Sequence, residues 1–387
     1  MGQPVRRLVY LAPVELDSPS QRPHHFVHWA HQTLDCDVVW VDPNPTRLPR
    51  WSDWRRLGRF VPQHLGPAWS GEPWVKRLKL SALPLEPLTT GRLVNGWIQR
   101  HSLRQIQAWL DQEDCWLVIG RPSSLGLQLC RSVKGRRVLY DVMDNTPEFS
   151  SGASARWMNR AHQAITRLAG HLWCSSLRLQ EQVLTSTDRE ATLVRNGSGV
   201  MLGASQALPS GPPWVLGYVG TIADWFDWDH VIQLALQVPA VQLRLYGPMS
   251  VGRPHKLPAN VQCLPAVPHD EIANLMAQWH AGLIPFKKNK LTDGVDPVKY
   301  YEYRACGLAV LSTRFGDMSQ HQDDEGVWFL EDMPLTTLLD RLSRWWAKPR
   351  QERVRTDSGW ANNFAQGATE LGWVQPYSSR GAIRQLL

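Results

Sequence analysis

Lys299 and Glu302 are the residues of this chain best placed to do chemistry, and they lie three apart in Asp296-Pro297-Val298-Lys299-Tyr300-Tyr301-Glu302-Tyr303-Arg304-Ala305-Cys306-Gly307. The spacing predicts a helix capped by Asp296, with Pro297 at its first position and Gly307 at its close. In that frame Lys299 and the Val298 amide fall in the first turn, where unpaired N–H groups and the positive dipole end attract phosphate. Glu302 shares the face of Lys299, and its carboxylate can accept from two neighbouring hydroxyls. The apolar runs Ala281 to Phe286 and Leu308 to Thr313 flank this segment and suit buried parallel strands. A cation, a carboxylate and free amides between two such strands suit a nucleotide-sugar diphosphate. An ordinary helix with a solvated Lys–Glu pair is the competing reading.

Other candidates stand at the ends of predicted strands, where doubly wound sheets keep their sites. Arg22-Pro23-His24-His25 opens the first helix. Arg22 and His24 can meet an acceptor phosphate or a leaving group, with His24 also a proton-transfer candidate. His25 is a further acceptor contact, for which packing is an equal rival. Asp141 and Asp144 can orient an acceptor hydroxyl or act as a base, against the alternative of capping the next helix. Gly220-Thr221 ends the strand that opens the second half of the chain. Asp35-Cys36-Asp37 mimics a metal-binding Asp-x-Asp, but its helix-to-strand turn suits surface aspartates. The Gly-Lys-Ser/Thr end of a P-loop is missing after Gly220, and the six cysteines form no C-x-x-C pair. The reading is therefore of no metal, no resident cofactor and buried thiols in a reducing compartment.

The elements that must position these groups alternate. Strands are predicted at 7–12, 37–42, 116–120, 137–141, 172–175 and 192–194, with helices at 22–34, 92–110 and 153–169. After a Pro/Ser/Gly linker at 205–213 the pattern resumes. Strands at 215–220, 241–246, 261–264, 281–286 and 308–313 alternate there with helices at 227–237, 269–279 and 297–306. At 387 residues the chain exceeds what one core usually covers. The expectation is an α/β fold of two Rossmann-like parallel-sheet domains facing a cleft. Residues 1–204 form the first domain, 214–370 the second, and 371–387 a tail that packs back on the first.

Residues 43–104 read as an excursion from the first sheet. Between residues 47 and 104 stand eleven Lys and Arg against three Asp and Glu, together with Trp51, Trp54, Trp69, Trp74 and Trp97. Cations interleaved with Trp suit an anionic membrane surface. A solvated basic face with its Trp in the core competes, and no nucleic-acid motif accompanies the charge. The N-terminal apolar stretch is too short for a signal peptide, so the expectation is a cytoplasmic protein, peripheral at the inner face of the membrane.

Four stretches carry a resemblance. They are Leu283-Ile284-Pro285-Phe286 with Asp296 to Gly307, Leu216-Gly217-Tyr218-Val219-Gly220-Thr221-Ile222, Val194-Arg195-Asn196-Gly197, and Tyr140-Asp141-Val142-Met143-Asp144. In this order they resemble the GT-B glycosyltransferases, specifically the retaining family-4-type (group 1) enzymes of bacterial surface-polysaccharide synthesis and their teichuronic-acid-type subgroup. Together they span a little under half of the chain. The resemblance implies transfer of a sugar from a nucleotide-diphosphate donor, UDP foremost, to a lipid-linked or polysaccharide acceptor, without a metal. Donor would lie on the second domain and acceptor on the first. Glu302 would grip the ribose, and Lys299, Val298 and the Gly220-Thr221 loop the diphosphate, with Asp293 or Asp296 near the sugar. The family's second glutamate is Gly294 here, and Lys287, Lys288 and Lys290 can replace its missing basic pair. A nucleotide-sugar epimerase of the same fold and a non-catalytic membrane- or polyanion-binding protein are the alternatives.

Overall fold

The structure is a computed structural model that describes residues 5–44, 67–133, 135, 137–200, 212–250, 252–355 and 359–374. The expected linker at 205–213 lies almost wholly outside them, as do Trp51, Trp54, their stretch of the excursion and the end of the tail.

The first sheet holds β1 (Arg7–Leu11), β2 (Asp37–Val41), β3 (Val75–Leu78), β4 (Cys115–Ile119), β5 (Val138–Val142), β6 (His171–Cys174) and β7 (Thr192–Leu193) in the order β3-β2-β1-β4-β5-β6-β7. All its pairs are parallel. Helices α1 (Arg22–Leu34), α2 (Thr89–Ile98), α3 (Arg100–Leu110), α4 (Ser124–Ser132), α5 (Gly152–Leu168) and α6 (Leu177–Thr187) cover it. The second sheet holds β8 (Trp214–Val219), β9 (Val241–Tyr246), β10 (Val261–Leu264), β11 (Ala281–Ile284), β12 (Ala309–Ser312) and β13 (Val327–Phe329), in the order β10-β9-β8-β11-β12-β13 and again parallel. Around it run α7 (Trp228–Gln237), α8 (Ile272–Met276), α9 (Val298–Ala305), α10 (Leu338–Trp346) and α11 (Arg350–Arg353), and α12 (Trp360–Glu370) follows.

Burial explains these elements. β4, β5, β8, β11 and β12 are buried along their whole length, as strands covered on both faces must be. On α5, Ser154, Met158, Ala161 and Ile165 recur at helical spacing and turn inward. Ser123 caps α4 by accepting from the Gly126 N–H at 3.0 Å, and Ser176 caps α6 by accepting from Leu179 at 3.1 Å.

Three expectations change. The helix predicted over 92–110 is two helices, α2 and α3, meeting at Gln99, whose buried side chain donates to the Ser81 carbonyl at 3.1 Å. The helix predicted over 269–279 is a 3-10 turn followed by the short α8. The return to the first domain precedes Trp360 rather than following residue 370. Phe364 packs edge-on against Phe26 of α1 at 5.4 Å, and Trp373 packs against Trp116 of β4 at 4.9 Å. By packing, α12 therefore belongs to the first core.

The loops leaving the strand ends of one sheet meet those of the other. Asn145, after β5, donates to the Lys290 carbonyl after β11 at 3.2 Å. Ser176, after β6, donates to the Gly294 carbonyl at 2.9 Å. Asn196, after β7, donates its N–H to the Asp296 carboxylate at 2.8 Å. The carboxyl ends of both sheets therefore border one cleft, the position at which open α/β sheets bind ligands.

Candidate functional site

On the second domain the site grows from the end of β8 and the start of α9. Gly220 has φ +146°, a conformation that side chains rarely adopt, and a Cβ there would stand 2.7 Å from both Cε and Nζ of Lys299. The Lys299 ammonium thus lies directly over the Gly220 backbone, 5.5 Å from the Tyr218 ring centroid. The Tyr218 hydroxyl holds the loop by donating to the Thr221 carbonyl at 2.8 Å. Gly220, Thr221, Val298 and Lys299 are therefore one local cluster, with Glu302 one turn further along α9.

Lys299 is only half-buried by surface area, yet protein surrounds its ammonium, as on the wall of a cleft. Desolvation lowers its pKa, and the Glu302 carboxylate opposes the fall. A desolvated cation beside first-turn amides has the chemistry that suits an anion.

Asp296 does not cap α9. Pro297 occupies the N-cap, and no side chain closes that end. The Asp296 carboxylate is buried and turned to the first domain, accepting from the Asn196 N–H at 2.8 Å and from the Tyr301 hydroxyl at 2.8 and 3.0 Å. Its pKa is pushed up to about 6 by desolvation, with Arg195 opposing. These bonds make it a tie between domains rather than a donor contact. Gly307, φ +74°, closes α9 as expected, with its N–H on Arg304 and that of Leu308 on Tyr303.

Gly294 packs on the first domain. A Cβ there would meet Leu179 Cδ2 at 2.9 Å, so a longer side chain would require the Leu179 side chain to shift. Neighbouring Asp293 pairs with Arg178 of α6 at 2.7 Å. Lys287, Lys288 and Lys290 are exposed in the preceding loop.

On the first domain the expected residues separate. Arg22 and Asp141 form a buried two-pronged pair, with both N···O distances 2.9 Å. Arg22 also donates to the Val194 carbonyl at 2.8 Å and the Asn196 side chain at 3.3 Å. Its donors are spent holding β5 to the loop after β7, so it is not an acceptor-phosphate ligand, and both Asp141 oxygens are occupied by it. His24 is buried with both ring nitrogens engaged. Nδ1 accepts from the Gln21 N–H at 3.2 Å, which leaves Nε2 to donate to the Leu16 carbonyl at 3.2 Å. It serves the entry of α1 rather than proton transfer. His25 stacks on Trp360, with ring centroids 4.9 Å apart, and packs as its rival reading expected.

Asp144 behaves differently. Its side chain meets solvent while protein surrounds it on the cleft wall. Desolvation pushes its pKa up to about 7, against the pull of Arg22 and with a smaller push from Asp141. Sequence reasoning missed the groups that join the domains. Asp317 is buried and accepts from the Leu177 N–H at 2.9 Å, at the start of α6, and from Arg195 at 2.7 Å. Val194-Arg195-Asn196-Gly197, which carries part of the resemblance, holds two of these groups, Arg195 and Asn196.

The chain matches no protein-family profile. In sequence it is similar to a protein of Bacillus subtilis (strain 168) named for a glycosyltransferase of teichuronic acid biosynthesis, TuaH. They are 26% identical over 209 residues, 48% of this chain and 52% of that protein, so the match spans about half of the relative. Solved structures align over nearly the whole chain. Sucrose-phosphate synthase from Thermosynechococcus elongatus superposes with TM-score 0.62 at 15% identity, covering 95% of this chain and 98% of its own. Anabaena HepE in complex with UDP-glucose gives 0.58 at 14%, covering 95% and 100%. A lipopolysaccharide outer core galactosyltransferase, WaaB, gives 0.58 at 10%, covering 94% and 99%. The chain has the GT-B fold. Within that fold, Lys299, Glu302 and the Gly220 loop stand on the second domain and Asp144 on the first, across the cleft.

Proposed function

We propose that this GT-B protein is a glycosyltransferase that moves a sugar from a nucleotide diphosphate, UDP foremost, to a lipid-linked or polysaccharide acceptor of cell-surface polysaccharide synthesis, with retention. The observation that carries the reading is the desolvated Lys299 ammonium over the Gly220 backbone, with Glu302 one turn along the same helix. The TuaH similarity supports the acceptor class, and the UDP-glucose complex of HepE supports the donor.

In this mechanism Glu302 accepts from the ribose hydroxyls while Lys299 and the first amides of α9 hold the diphosphate. The acceptor oxygen bonds to the anomeric carbon as the bond from that carbon to the diphosphate oxygen breaks. Lys299 stabilises the charge that develops on the departing phosphate. Asp144 orients the acceptor hydroxyl from the opposite wall, and the hydroxyl proton leaves with the diphosphate. Work at the inner face of the cytoplasmic membrane fits such an acceptor. Among the described residues no helix is long and apolar enough to cross a membrane.

Titration calorimetry with UDP tests the site. Lys299→Ala should weaken UDP by about 1.5–3 kcal/mol, roughly ten- to a hundredfold in Kd. Glu302→Ala should abolish transfer while the far-UV circular dichroism stays that of wild type. Equal UDP affinity in both variants and wild type would overturn the assignment. Conversion of a UDP-sugar without acceptor would instead mark an epimerase.

A further inference from the structure

Among the described residues of the first domain, one face of α2 is exposed, and that face is apolar. Leu93 is 72% exposed, Trp97 66% and Val94 43%, and Leu88 in the preceding turn is 43% exposed. Leu93, Val94 and Trp97 stand at i, i+1 and i+4, on one side of the helix, while Gly91 and Asn95 turn inward. Single exposed apolar side chains need no explanation; a contiguous group on one helix face does.

The face is firmly held. Asn95, buried beneath it, accepts from the Leu83 N–H at 2.8 Å and donates to the Leu83 carbonyl at 3.0 Å. The Arg92 guanidinium lies 4.1 Å from the centroid of Trp157 on α5. Glu86 accepts from the Ser124 N–H at the start of α4. These anchors fix α2 beside the strand ends that border the cleft.

The next turn is basic. The Arg100 guanidinium lies 4.9 Å from the Trp97 ring centroid, and His101 and Arg104 are exposed on α3. No Asp or Glu occurs from Pro87 through Leu110. A rigid apolar patch with a Trp at its edge, running into cations with no acid among them, is complementary to an anionic lipid surface. A second copy of the same basic face would repel it.

We propose that this face docks on an anionic phospholipid bilayer. Leu93, Val94 and Trp97 enter the boundary between headgroups and acyl chains, and Arg100 and Arg104 meet lipid phosphates. This deepens the acceptor reading above, because it places the mouth of the cleft at the surface where a lipid-linked acceptor is presented. Its test requires no turnover.

The experiment is co-sedimentation with vesicles of phosphatidylglycerol and phosphatidylcholine, compared with phosphatidylcholine alone, at low and high salt. Wild type should partition onto the anionic vesicles and be released by salt. Leu93→Asp with Trp97→Asp, and separately Arg100→Glu with Arg104→Glu, should each weaken partitioning about tenfold or more. Circular dichroism and UDP affinity should match wild type in both double variants. The proposal is overturned if wild type ignores anionic vesicles, or if a folded Leu93→Asp/Trp97→Asp variant binds them equally well. It is also overturned if wild type is a dimer in solution that this variant makes monomeric, which would assign the face to a second copy. Vesicle binding by a protein that ignores UDP would leave this inference standing and remove the donor reading.

Discussion

At the residue scale Asp144 is the group whose environment makes the sharpest prediction. Crowding by protein raises its carboxyl toward about 7, while its exposure to solvent moderates the rise, so it protonates at higher pH than an ordinary aspartate. A hydroxyl-orienting role requires the carboxylate, so kcat/KM should rise with pH through about 7 in wild type. Asp144→Asn should lose both rate and that inflection; a pH–rate profile of each protein checks it. An inflection that survives the substitution assigns the titration elsewhere. Linkage gives an independent reading. Because the folded pKa lies above the unfolded one, Asp144 favours folding most when protonated, and that support is withdrawn as pH rises from the ordinary carboxylate range through about 7. Asp144→Asn removes this loss, so urea unfolding should show the variant gaining on wild type between acid and neutral pH. Lys299 obeys the same logic with opposite charge: desolvation disfavours its cation until an anion binds.

At the element scale, α9 was legible because its signals are local. Pro297 and Gly307 bracket it through backbone conformations that few other residues supply as readily, and the buried strands on either side are continuous apolar runs. Asp296 misled for the complementary reason. Its local chemistry suits a cap, but Asn196, a hundred residues earlier, offers a buried N–H that must be paired, and that distant demand prevails. Arg22 and Asp141 show the same pattern, since each reads as functional alone and together they are a buried structural pair. Edge strand β3 escaped notice because Val75-Lys76-Arg77-Leu78 buries only its first residue. The position of α12 was equally hidden, because an amphipathic helix does not say which core it covers. Its packing gives a prediction. Phe364 is fully buried among Phe26, Trp29 and Trp173, so Phe364→Ala should destabilise the first domain by about 3–5 kcal/mol. Urea unfolding should show the loss in the first domain's transition, while UDP binding persists.

At the scale of the whole molecule, the two sheets meet through polar bonds rather than through a shared apolar core. Apolar contact between them is limited, with Val298 against the first core, Val200 in the second and Gly294 beside Leu179, and the cleft is bridged by Asp317, Asp296, Ser176, Arg178 and Asn145. Such an interface suits domains that must open to exchange substrates, because it can break while exposing little hydrophobic surface. Asp317 concentrates the contact. Its buried carboxylate faces the first amides of α6, where the helix dipole favours an anion, and it also pairs with Arg195. Asp317→Ala removes all three attractions and leaves Arg195 without this partner, so the open arrangement should gain population. The radius of gyration from small-angle scattering should then increase. Gly220, Lys299 and Glu302 all belong to the second domain, so UDP affinity should stay near that of wild type. Transfer needs Asp144 brought across the cleft, so kcat should fall. Unchanged scattering together with unchanged kcat would show that the domains are held by something other than this carboxylate. A loss of UDP affinity equal to the loss of kcat would show that the donor site itself spans the cleft.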